Sequence, residues 1–72
     1  MTPVRAIVAS PEEAADANIE FWIGGEQVAV TVLYDGQLHL RIDPRRDGEP
    51  WLLETSSLAS ALESATRQLA EY

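Results

Sequence analysis

From Ile19 onward apolar residues recur at every second position: Ile19, Phe21 and Ile23, then Val28, Val30 and Val32, then Leu38, Leu40 and Ile42. Side chains alternate across a strand, so this period predicts three half-buried strands. Those residues are expected to face inward, and Glu20, Trp22, Ala29, Thr31, Leu33, His39 and Arg41 outward. From Leu58 the period lengthens. Leu58, Leu62, Ala65, Leu69 and Tyr72 follow one another at alternating spacings of four and three, the apolar stripe of a helix capped by Ser56 or Ser57. Glu63 stands four residues before Arg67, a spacing that sets an ion pair on its solvent face.

Near the start, Ser10-Pro11-Glu12-Glu13 combines an N-cap serine, a proline at the first helical position and a glutamate at the third. A helix of about two turns is expected there, ended by Asn18 and the β-branched, aromatic run that follows. Trp51-Leu52-Leu53-Glu54 reads as a short fourth strand whose inward face is open. Residues 1–10 are open between a flexible arm and an edge strand.

Paired residues must lie on the same side of a sheet, so loop length can be tested against these faces. A two-residue Gly24-Gly25 turn pairs Phe21 with Val28 and Ile19 with Val30, apolar with apolar. A two-residue Asp35-Gly36 turn would pair Val32 with His39 and Val30 with Arg41, apolar with polar. The faces therefore predict a three-residue loop, Tyr34-Asp35-Gly36, with Gly36 in the left-handed region of a G1 bulge and Val32 opposite Leu38. The assembly that results is an α+β fold: an antiparallel three- to four-stranded meander, a C-terminal helix packed on one face and a short N-terminal helix at one edge.

Length and composition narrow what this fold can do. Seventy-two residues allow one small domain spanning 1–72, and 46% apolar with 24% charged residues is ordinary for a folded chain. Twelve acids against five cations, all arginine, give a net charge of −7, which disfavours direct nucleic-acid binding. Cysteine is absent, which excludes disulfides and thiolate chemistry. No apolar run approaches the roughly 20 residues of a membrane span, and Met1 to Ser10 does not read as a signal peptide, so a cytoplasmic protein is expected.

Candidate chemistry is sparse. His39 is the only histidine, and without cysteine, lysine or a second histidine the usual catalytic pairings cannot be assembled. Asp43, Asp47, Gly48 and Glu54 fall at positions 1, 5, 6 and 12 of a calcium-loop pattern, but Arg45 stands where the third position needs an oxygen ligand. Asp43, Asp47 and Glu49 interleave with Arg45 and Arg46, which reads as a locally neutralised surface loop. No cofactor, metal or catalytic residue is assigned. Trp22 is the outward residue a solvated face does not need, and with Leu33, His39 and Arg41 it makes the candidate partner-binding face.

The run from Val28 onward, and above all Thr55-Ser56-Ser57-Leu58-Ala59-Ser60-Ala61-Leu62-Glu63-Ser64-Ala65, resembles the strand-strand-strand-helix part of HicB-like antitoxins. That resemblance implies a protein that binds and neutralises a small toxin RNase, commonly as a dimer, and it carries over no functional residue. The order helix, three strands, helix is also similar to a double-stranded-RNA-binding domain, through Arg41-Ile42-Asp43-Pro44 and the helix start at Leu58. The RNA-binding members place lysines at the start of the last helix, where Ser56, Ser57, Ser60 and Glu63 stand here, so RNA binding does not transfer.

The function expected is a non-enzymatic, acidic protein-interaction module that binds a protein partner or itself as a homodimer, with no membrane or nucleic-acid partner. The alternative is an antitoxin or immunity-type inhibitor of a basic protein, and after it a small enzyme or metal-binding domain.

Overall fold

The computed structural model describes residues 3–71, in the order β1 (Val4–Ile7), α1 (Pro11–Ala15), β2 (Glu20–Ile23), β3 (Glu26–Tyr34), β4 (Gln37–Ile42) and α2 (Thr55–Ala70). The strands form one antiparallel sheet in chain order, with β1 and β4 at its edges. Thus the fold is α+β, as the periodicities predict, but its fourth strand is Val4–Ile7. Trp51 to Glu54 is instead an irregular segment. Trp51 and Leu53 turn inward onto the core, Leu52 turns out, and the Trp51 indole N–H donates to the Asp43 carbonyl at 2.7 Å.

Helix α1 begins as its sequence dictates. Ser10 Oγ accepts from the Glu13 N–H at 3.2 Å, and Glu13 Oε1 accepts from the Ala9 N–H at 3.0 Å, the reciprocal pair of a capping box. It stops at a left-handed residue, Ala17 (φ 58°), with the Asn18 N–H returning to the Glu13 carbonyl at 2.8 Å. The start of α2 differs from expectation. Glu54 is the N-cap and makes no side-chain bond there, because Ser57 Oγ is used elsewhere and Ser56 Oγ donates to Glu54 Oε1.

Both hairpins correct the expected register. Ile23 pairs with Glu26 across Gly24-Gly25, but Phe21 pairs with Ala29 rather than Val28. Trp22 still faces Gln27, so Val28 is an extra residue and β3 carries a bulge. Val28 and Ala29 both enter the core. Past that point the odd residues of β3 are the inward ones, and Thr31 and Leu33 share a face with Phe21, while Val30 and Val32 turn to the other side. The second loop then closes with two residues: Tyr34 pairs with Gln37, and Asp35 (φ 54°) and Gly36 (φ 76°) both take positive φ, the requirement of a type I′ turn. Hence Leu33 faces Leu38, Thr31 faces Leu40 and Ala29 faces Ile42.

The core lies between this face and α2, where Ala61 and Ala65 pack with Val4, Ile19, Phe21, Val28 and Ala29. Small residues let the helix sit close to β1. Leu62 does not join them and is 39% exposed, and Tyr72 lies outside the described residues. Among the described residues Thr31, 2% exposed, is the buried polar one. Its Oγ1 donates to the Ala17 carbonyl at 2.6 Å and accepts from the Ile19 N–H at 2.7 Å, tying the α1–β2 junction to β3.

Candidate functional site

An edge strand carries a row of main-chain groups that its one neighbour does not use. At the β1 edge helix α2 supplies partners for three of them. Ser57 Oγ accepts from the Val4 N–H at 2.8 Å, and the Gln68 amide spans the far end, accepting from the Val8 N–H at 3.2 Å and donating to the Ala6 carbonyl at 3.0 Å. Ser64 Oγ also accepts from the Gln68 amide at 3.0 Å, holding it in place. Between these clasps is an open slot of about 380 Å³, lined by Val4 to Ile7 and by Ser60, Ala61 and Ser64.

At β4 no such cover exists among the described residues. The Asp43 N–H donates to the Val28 carbonyl at 2.8 Å, which fixes the phase of the ladder: odd-numbered residues of β4 point their main chain at β3. The N–H and C=O groups of Leu38, Leu40 and Ile42 therefore point outward. Their side chains lie on the core side of the sheet; Leu40 is partly buried against the core, whereas Leu38 is 43%, Ile42 55% and the adjoining Leu33 57% exposed. The result is an apolar strip beside an unpaired strand edge, which has no bulge and whose one charged side chain, Arg41, lies on the opposite face.

The four residues expected to form one binding face are divided by the bulge. Trp22, His39 and Arg41 lie on the face away from α2, while Leu33 lies on the other. Trp22 is half-buried, between Arg5 and Gln27, and its indole N–H donates to Glu20 Oε1 at 2.9 Å. His39 is exposed, with Nδ1 2.9 Å from the Gln37 carbonyl oxygen and its ring edge-on to Tyr34 at 5.5 Å. The Arg41 Nε sits 3.3 Å from Asp43. Leu38 and Ile42, read from the sequence as core, belong to the exposed strip. Their alternation is that of a buried face, and only the extent of the helix above them shows otherwise.

The far face also has a shallow hollow of about 340 Å³, lined by Glu13, Glu20, Gln27, Val30, Val32 and Arg41 among others. A hydrogen bond between the Glu13 and Glu20 carboxyls raises the Glu13 pKa. Partial burial and repulsion from Glu20 push the same way, against the Ala9 N–H, which favours the charged form. Among the described residues no three His, Asp or Glu side chains converge on a point that could hold a metal ion. In the loop after β4, Arg45 pairs with Asp47 at 3.0 Å and lies over the Trp51 ring at 5.6 Å. No helix among the described residues is long and apolar enough to cross a membrane. Compared with known protein families, curated proteins and solved structures, the chain matches none of them.

Proposed function

We propose that this chain is a non-enzymatic protein-interaction module whose docking site is the β4 edge. The observation that carries the reading is the coincidence of outward main-chain groups at Leu38, Leu40 and Ile42 with the exposed apolar strip of Leu33, Leu38 and Ile42. A strand laid along β4 would gain main-chain hydrogen bonds for affinity and an apolar face for selectivity. His39 and Arg41 would form the polar rim on the opposite side, and Trp22 would serve the fold rather than the contact.

The test compares binding, to itself or to a stoichiometric partner from its host, across three variants. Leu38→Lys and Ile42→Lys, both at exposed positions, should abolish binding, while Trp22→Phe should leave it intact. If both lysine variants bind as the wild type does, the β4 edge is not the docking site.

A further inference from the structure

Resting on that reading, we infer that the occupant of the β4 edge is a second copy of this chain, its β4 running antiparallel to the first with the two Leu40 residues facing each other on a two-fold axis. The strand is self-complementary about Leu40. Leu38 and Ile42 lie two residues to either side, His39 and Arg41 one residue, and Gln37 and Asp43 three. Antiparallel pairing on this centre sets Leu38 against Ile42 of the second copy on the apolar side. On the polar side it sets His39 against Arg41, and Gln37 against Asp43.

The hydrogen-bond phase agrees. Leu38, Leu40 and Ile42 are the residues whose main chains point outward, and in this register each meets another such residue. All three therefore sit in hydrogen-bonded pairs. Centring on His39 would instead stack the two imidazoles and leave Ile42 opposite Gly36, with no side chain to cover it. Electrostatics also favour this approach. The chain carries −7, but along Gln37 to Asp43 the charges of Arg41 and Asp43 cancel and the two are already paired at 3.3 Å, so copies can meet here without facing acidic residues unpaired. The apolar strips of both copies then join into one surface on the side that carries both helices. A contact of seven residues a side, Gln37 to Asp43, is small against the roughly 800 Å² per partner of a standard interface, so the dimer should dissociate on dilution.

Analytical ultracentrifugation from micromolar to millimolar concentration tests this. The wild type should pass from monomer to dimer, and Leu38→Lys and Ile42→Lys should each weaken the dimer about tenfold or more with an unchanged circular-dichroism spectrum. The chain has no cysteine, so the register can be read by cross-linking. Under oxidation a mixture of His39→Cys and Arg41→Cys should give a disulfide-linked heterodimer in preference to either variant alone, because these positions face each other. A wild type that stays monomeric throughout overturns the inference. So does a dimer indifferent to both lysine variants, or cross-linking that favours His39→Cys with itself. A monomer that instead holds a different protein, and loses it on Leu38→Lys, overturns the second copy as occupant while the docking edge stands.

Discussion

Strands β1 and β4 hold equivalent places at the two edges of one sheet, yet β1 is clasped by Ser57 and Gln68 of α2 while β4 faces solvent with Leu38 and Ile42 beside it. The difference follows from where the single long helix can lie. Ala61 and Ala65 bring α2 close to β1, and a helix seated there leaves the far strand uncovered. Polar side chains at helical spacing then finish one edge, and nothing comparable finishes the other. An edge that is closed by specific side chains is a structural feature; one left apolar and unpaired in the same molecule is available for a partner.

Breaking the closed edge should have the largest effect on stability. The double variant Ser57→Ala/Gln68→Ala removes the partners of three main-chain groups, two in β1 and one on Val8 just after it, and should lower unfolding free energy by about 2–3 kcal/mol, read from urea unfolding. Thr31→Val keeps the shape of the side chain but strands the buried Ile19 N–H and the part-buried Ala17 carbonyl. About 2 kcal/mol of destabilisation is expected by the same measurement. At the open edge the prediction inverts. Leu38→Lys and Ile42→Lys should change monomer stability by no more than about 0.5 kcal/mol in dilute solution, because each side chain already meets water.

The smallest effect belongs to Glu13. Its raised pKa means that, between the ordinary value near 4.5 and the higher folded-state value, the folded chain holds a proton there which the unfolded chain has lost. This contribution to stability is present at low pH and is lost as pH rises from 4.5 through the folded-state value. Glu13→Gln should therefore raise the melting temperature slightly at neutral pH and flatten its pH dependence just above 4.5.

The architecture was legible because periods of two and of three to four residues are local properties, and the α1 cap is written in four consecutive residues. The register was not, because a single bulge reverses parity. Val28 and Ala29 both turn inward, so Thr31 and Leu33, which read as outward, join the core side. With that inversion, the two-residue Asp35-Gly36 turn, which unbroken parity forbids, becomes the natural closure. Nothing in the apolar pattern marks the bulge, since both residues are apolar. The same inversion separates Leu33 from Trp22, His39 and Arg41. The edge strand at Val4 to Ile7, one of two readings the sequence allows for residues 1–10, is only half legible for another reason: it is too short to show a period, and its edge depends on Ser57 and Gln68, more than fifty residues away.

Amide hydrogen exchange across a concentration series tests the contrast between the edges most directly. His39 and Arg41 donate to β3 and should be equally protected at every concentration, whereas the Leu38, Leu40 and Ile42 amides should gain protection as concentration rises. Val4 and Val8, already bonded to α2, should not change. Protection at Leu38, Leu40 and Ile42 that is independent of concentration, or a concentration-dependent gain confined to β1, would contradict the account.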